Sequence, residues 1–326
     1  MAEPLMSFDA VAQQPKLLYL LQGVAAFAAV VSLILLALHR GPFRRRAAAL
    51  LLLAPALLLL TVGLLLPGLR TLALSFTDNG GDAWAGFDNY VWMVTDPRAM
   101  VALRNTLTWV VLVPSLATSV GLLYAAAVAR SRFRAFALSL VLTPMAISFV
   151  GAGVVWKFVY AYRPAEAGQI GLLNQLVVAF GGEPRQWLVD SPWNVLFLIV
   201  VMVWTQAGFA AVLLAGAIRA VPGELTEAAR LDGASPRQIF WRITMPSIRP
   251  TLLVVVLAQA IGTFKAFDIV KTMTGGQFET GVIAHEMYDQ AFRYGETGRG
   301  AALAVLLFVL VTPFVAHQVR AQRRAG

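Results

Sequence analysis

Residues able to make or break covalent bonds are scarce in this chain. Cysteine is absent, and the three histidines, His39, His285 and His317, are far apart in sequence. Thiol nucleophiles, disulfide frameworks and Cys-ligated metals are therefore excluded, and no metal-ligand spacing is present. No G-x-x-x-x-G-K-[ST] loop is available to cradle phosphates, so the chain itself cannot be an ATPase. What remains is a chemistry of hydrogen bonding and stacking. Thr205, Gln206, Gln259 and Thr263 fall inside long apolar runs, with Trp204 and Phe209 in the run of Gln206 and Trp156 in another. Polar groups at such depth are costly, and they either line a pathway or join helices.

The elements that must hold these residues follow from composition. Of the 326 residues, 59% are hydrophobic and only 13% charged, against roughly 45–50% and 25% in soluble domains. Crossing a bilayer takes about 20 helical residues. Seven apolar stretches are long enough, at 17–38, 47–69, 103–129, 135–158, 194–217, 250–271 and 301–319. The expected fold is all-α, a polytopic membrane bundle of about seven transmembrane helices. The first stretch is too long for a signal peptide and lacks an A-x-A cleavage site, so it reads as a retained helix. Pro55, Pro114 and Pro144 lie inside spans, where neighbouring helices can satisfy the freed backbone groups.

The net charge of +9 is unevenly distributed. The turns at 39–46 and 130–134, the loop at 218–249 and the tail from Arg320 hold 15 of the 26 Lys/Arg but only three acids, Glu224, Glu227 and Asp232. The positive-inside rule places this set in the cytoplasm, the N-terminus outside and the C-terminus inside. The basic excess thus orients the chain in a lipid bilayer and implies no nucleic-acid partner. Longer loops at about 70–102, 159–193 and 272–300 then face outward, with the Trp and Tyr expected at membrane interfaces.

One cytoplasmic segment, VPGELTEAARLDGASPRQIFWRITMPSIRP from Val221 to Pro250, has its own grammar. Pro222 opens a first helix, and Glu224 and Glu227 complement its dipole. Asp232-Gly233 ends it through a left-handed glycine. Ser235 caps a second helix with Pro236 at its first position, and Pro246 is expected to stop the run. Two short helices with a break between them offer a firm knob to a cytoplasmic partner.

Glu227-Ala228-Ala229, then Gly233, Ile243 and Pro246, resemble the EAA motif of ABC importer permeases at every spacing. Met245 stands where leucine is usual and keeps the volume. The resemblance covers roughly residues 47–320. GFDNYVWMVTDPRAMVALRNTLTWV, GVVWKFVYAYRP and KAFDIVKTMTGGQFETGVIAHEMYDQAFRYGETGRG are similar to sugar importers of the maltose type, on the alpha-glucoside and glucosylglycerol branch. It implies a six-helix permease core over 47–326, with its coupling loop at 221–249, preceded by an extra N-terminal helix and basic turn over 1–46.

The resemblance further implies a subunit of the bacterial inner membrane without cofactor of its own, with ATP and Mg bound by a partner. The expected partners are a second, different permease, two copies of an ABC ATPase and an external sugar-binding protein. Glu227, Ala228, Ala229, Leu231, Asp232, Gly233, Ile243 and Pro246 would couple to the ATPase. Glu227 would pair with one of its basic residues, and Gly233 would allow close docking. Gln206, Phe209, Gln259, Gly262, Thr263 and Trp156 are the residues expected to touch the sugar. Lys265 and Asp268, one turn apart near the outer end of the sixth span, read as a structural ion pair. A secondary transporter would need paired repeats and intramembrane carboxylates, which the sequence does not display. A polytopic membrane enzyme would need clustered catalytic groups, and no such cluster is visible. A permease for a non-sugar solute would share the EAA loop.

Overall fold

The computed structural model describes residues 45–129, 131–264 and 266–325, together with Ser32. The expected span at 17–38 lies outside these residues, as do most of the basic turn and Lys265. The described residues are overwhelmingly helical, with one isolated antiparallel bridge between Thr77 and Trp84. The chain divides at Arg70 into two units. In the first, α1 runs Arg45–Leu60 and a π turn at Thr61–Leu65 leads into α2, Leu66–Leu74, whose last turn belongs to the second unit. Pro55 is accommodated inside α1. The Thr61 hydroxyl donates to the Leu57 carbonyl at 2.8 Å, one of the internal bonds that polar groups in lipid require.

In the second unit α3 (Asp88–Thr95) precedes α4 (Pro97–Val128). Asp96 caps α4, its carboxylate accepting from the amides of Arg98 (2.9 Å) and Ala99 (3.1 Å), and Pro97 fills the first position. Then follow α5 (Arg134–Leu142), α6 (Phe149–Val159), α7 (Leu172–Ala179) and α8 (Trp193–Ala220). The centre of the bundle is the α4–α8 pair. Gly121, Ala117 and Ala125 of α4 meet Ala207, Ala210 and Ala211 of α8, all buried. Small residues are what membrane helices use to bring backbones close. Gly208 on α8 faces the Val141 carbonyl of α5, with no room for a Cβ. Trp109, Val113, Leu198, Ile199 and Met202 form the outer half of the core, and Leu214, Ile248 and Val255 belong to the inner half.

Two expectations about spans need correction. The stretch 135–158 is not one straight helix: Arg134–Ala146 and Phe149–Val159 meet at 97°. Pro144 tightens the chain into a 3₁₀ turn, and Ser148 starts α6 afresh by accepting from the Gly151 amide at 3.0 Å. The expected span at 250–271 is displaced as well. A continuous helical rod of 28 residues runs from Pro236 to Thr263. It comprises α10 (Pro236–Ile239), a π turn at Phe240–Thr244 and α11 (Met245–Thr263). Pro246 therefore does not stop the run. The wider π turn just before it absorbs the missing N–H and the ring. The rod breaks after Thr263, and Asp268 falls in the first turn of a separate α12 (Phe267–Met273). The chain closes with α13 (Ile283–Tyr288), a π turn at Asp289–Arg293 and α14 (Thr297–Ala325). Five helices among the described residues are long and apolar enough to span, or six when the bent pair counts as one.

Close packing of α4 on α8 gives a direct test. A Cβ on Gly121 would lie 2.5 Å from the Ala210 Cβ and 2.8 Å from the Ala211 nitrogen, both rigidly held. Gly121→Ala is expected to cost about 1–3 kcal/mol, seen as earlier thermal loss of monodisperse protein in detergent. Gly216→Ala, with nothing within 4 Å of its added Cβ, should melt like wild type.

Candidate functional site

Three places gather the chemistry-bearing residues: the elbow expected on the cytoplasmic side, a polar knot within the bundle and the loop expected to face outward.

The elbow begins at Pro222, whose extended backbone (ψ 130°) turns the chain out of α8 into α9, Gly223–Leu231. Its end is a full Schellman arrangement: the Ala234 amide donates to the Ala229 carbonyl at 2.9 Å and the Gly233 amide to the Arg230 carbonyl at 3.0 Å. Gly233 has φ +79°, the left-handed conformation this closure needs. Ser235 and Gln238 then form a reciprocal capping box: the Ser235 amide donates to Gln238 Oε1 at 2.7 Å, and the Gln238 amide to Ser235 Oγ at 3.4 Å. Both halves of the bend are thereby fixed by local bonds. Ile239, Thr244 and Ile248 anchor the second half in the protein. The outer face is bare. Glu227, Ala228, Asp232 and Gly233 are exposed, Ala229 and Ile243 half-buried and Pro246 exposed. Leu231 is 90% exposed, although a leucine on a loop outside the lipid gains by burial. All eight residues expected to couple thus fall on one elbow, and its most exposed apolar side chain lies beside the glycine bend.

The knot joins three helices. Gln259 on α11 is 1% exposed; its Oε1 accepts from the Thr118 hydroxyl of α4 at 3.2 Å, and its Nε2 donates to the Gln206 carbonyl of α8 at 3.4 Å. The Thr263 hydroxyl turns back to the Gln259 carbonyl at 2.8 Å. Gly262 faces the half-exposed Gln206 side chain: a Cβ there would lie 3.4 Å from the Gln206 Nε2. Gln206, Gln259, Gly262 and Thr263 are therefore brought together. Trp156 and Phe209 are not part of this group. Trp156 packs edge-on to Trp204 (5.7 Å) in the outer core, and Phe209 belongs to the inner cluster around Leu214. Thr118 was not among the expected residues. Its hydroxyl is one of several in the run of α4, with Ser115 and Ser119 beside it, so the sequence did not single it out.

The outward loop 274–282 is held in an uncommon conformation. Phe278 (φ 54°) and Glu279 (φ 57°) are consecutive left-handed residues that are not glycine, each costing about 1–2 kcal/mol. Asn105 of α4 compensates by donating to the carbonyls of Glu279 (2.6 Å) and Gly281 (2.9 Å), and Asn194 of α8 donates to that of Phe278 (2.7 Å). The Thr106 hydroxyl accepts from the Ile283 amide at 2.9 Å. Behind the loop lies the nearly buried Asp289 carboxylate, with Lys271 at 3.2 Å, Arg293 at 3.5 Å and His285 Nδ1 at 3.9 Å. Phe267 covers one face of the His285 ring, and Gly276 is packed so tightly against it that a Cβ would collide. Burial pulls the His285 pKa below 6.5; Asp289 opposes this, and Lys271 and Arg293 reinforce it.

The class of protein follows from these features: a polytopic α-helical permease whose polar residues sit between packed spans and whose cytoplasmic elbow presents a bare face. The chain belongs to the family of binding-protein-dependent transport system inner membrane components, which it matches over residues 117–325. It is 49% identical to the osmoprotective compounds uptake permease protein GgtC of Synechocystis, over 82% of this chain and 95% of that one. It is 46% identical to the alpha-glucoside transport system permease protein AglF of Rhizobium meliloti, over 85% and 83%. In fold it is similar to a chain of a bacterial alginate ABC transporter solved with its alginate-bound periplasmic protein. The TM-score there is 0.71 and the identity 22%, covering 84% of this chain and 93% of that one. The chain is thus a multi-pass inner-membrane permease subunit of an ABC importer, which works with a separate ATPase and a solute-binding protein.

Two outcomes test the outward loop. Asn105→Ala leaves two carbonyls without their donor, a loss of about 1–3 kcal/mol. Amide exchange should accelerate across 278–283 and stay unchanged in α8. The second outcome concerns pH. A loosened loop takes up a proton on His285 at its ordinary pKa of 6.5, whereas the packed ring resists protonation. Loop stability is therefore complete above that pH and declines as pH falls below it. Exchange across 274–285, corrected for its intrinsic pH dependence, should rise on acidification, and His285→Phe should flatten the response.

Proposed function

We propose that this permease forms half of a carbohydrate pathway in an ATP-driven importer, paired with a second, different permease. Two copies of an ABC ATPase serve the pair from the cytoplasm, where ATP and Mg bind, and an external sugar-binding protein delivers the solute. The N-terminus lies outside and the C-terminus inside, in keeping with the charge asymmetry between loops. The segment 1–46, most of which lies outside the described residues, is an addition to the core at 47–326. The relatives named for alpha-glucosides and osmoprotective compounds support a neutral, hydroxylated solute. Gln206, with a half-exposed side-chain amide beside Gly262, is well suited to bond such hydroxyls. Gln259 and Thr263 hold that wall in register, while Trp156 and Phe209, packed into separate apolar clusters, would reach the solute only from outside this group.

The observation that carries the mechanism is the continuity between the elbow and the knot. Because the helix passes through Pro246, the capped start at Ser235 and the polar group at Gln259–Thr263 are two ends of one rod, about 42 Å long at about 1.5 Å per residue. An ATPase that grips α9 through Glu227 and Leu231 moves the floor of the solute wall without an intervening hinge. Glu227 contributes a charge-assisted contact and Leu231 an apolar one. Gly233 keeps the bend compact enough to dock.

Glu227→Ala should reduce sugar uptake by the reconstituted importer at least about a hundredfold, from a loss of several kcal/mol at the interface. Sugar binding by the isolated external protein should be untouched. Normal uptake by this variant would remove the elbow from the coupling path. Uptake of a non-sugar solute alone by the wild type would favour the alternative importer reading.

A further inference from the structure

Beneath the strained loop lies a cavity of about 510 Å³ that neither the elbow nor the knot uses, within the range of about 300–1,000 Å³ typical of small-molecule sites. Its walls are the start of α4, the glycine-rich loop and the α13 turn. Glu286 lines it and is only 8% exposed. One of its oxygens accepts from the Gln290 side-chain amide at 2.8 Å. No cation lies within ion-pair distance of its carboxylate among the described residues, although the neighbouring Asp289 has three. Next to it, His285 Nε2 is buried with no hydrogen-bond partner. The Arg98 guanidinium, on the opposite wall, has no anionic partner among the described residues either. Of these groups His285 Nε2 is buried and left open, which calls for an external partner, while Arg98 is exposed and free to turn toward one.

The chemistry of the lining selects that partner. An anion would meet Glu286 and Asp289, and a cation would meet Arg98 and Arg293. A hydroxyl, which both donates and accepts, satisfies a carboxylate and a guanidinium in the same wall. Tyr294, 45% exposed at the rim, presents a ring on which the apolar face of a pyranose can rest. We propose that this cavity is an outer carbohydrate subsite, which holds the solute by hydroxyl bonds to Glu286 and Arg98 and by stacking on Tyr294. The proposal rests on the carbohydrate reading above and places a first contact outside the packed spans.

The test uses the assembled importer in nanodiscs, without its binding protein. The probe is whichever of trehalose, maltose, sucrose and glucosylglycerol the reconstituted wild type imports. Binding is titrated by saturation-transfer NMR. The wild type should give a saturable signal, and Glu286→Gln should weaken it roughly tenfold, the loss expected for a hydrogen bond to a charged group. Tyr294→Ala, at an exposed position where folding is not at stake, should weaken it as well. Size-exclusion chromatography verifies assembly of both variants. If an imported sugar gives no signal, or one that neither variant alters, the subsite is refuted while the carbohydrate reading stands. If the wild type imports a different class of solute and none of these sugars, both fail together.

Discussion

Within the hydrocarbon of a bilayer there is no water to take over a broken backbone bond, so each interruption of a helix needs a local replacement. The placement of the breaks in this chain reflects that demand. At the 97° bend, the Ser148 hydroxyl takes the Gly151 amide that the end of α5 could not serve. At Pro246 the chain keeps its helix by widening to a π turn. At the cytoplasmic end, where water is at hand, the chain still spends a Schellman closure and a capping box on one short bend. Bonding of that density at a solvent-exposed corner is excess for mere connection. It suits a corner that has to transmit force.

The same constraint explains which parts of the sequence were readable. The spans are long apolar runs, and α4, α8 and α14 lie close to the expected positions because their apolar pattern runs on through Pro114 and Pro313. The elbow was readable almost residue by residue, since caps and left-handed glycines are local events encoded by Pro222, Gly233, Ser235 and Pro236. Pro246 misled because its effect depends on the turn before it. A proline usually ends a helix, and only tertiary packing of Ile239, Thr244 and Ile248 makes the π turn worth keeping. The outward loop was not readable at all. Its left-handed Phe278 and Glu279 are held by Asn105 and Asn194, more than eighty residues away in sequence, and no local pattern announces such a partnership. The substrate-wall residues fall between these cases. Their polarity in apolar runs was visible, but only packing separates Trp156 and Phe209 from Gln206 and Gln259.

The bonds at the knot also differ in kind from those at the outer loop, and the difference bears on how the permease moves. The loop is tied to α4 and α8 by amide donors at 2.6 to 2.9 Å. Those two helices are themselves locked together through Gly121 and its alanine neighbours. The rod from Pro236 to Thr263 is joined to this block at the knot by only two longer contacts, 3.2 Å to Thr118 and 3.4 Å to Gln206. Hydrogen bonds weaken with length, so the polar part of this junction is the weaker one, and apolar packing of Ile248 and Val255 beside Leu214 supplies the rest. The rod also ends at Thr263, ahead of α12, which leads on to the loop. Force applied at the elbow is therefore expected to slide the rod against a fixed pair of helices. The slip is expected at Gln259, where the two longer contacts lie. A permease built this way can shift the polar group around Gln259 without dismantling the loop that Asn105 and Asn194 tie to α4 and α8.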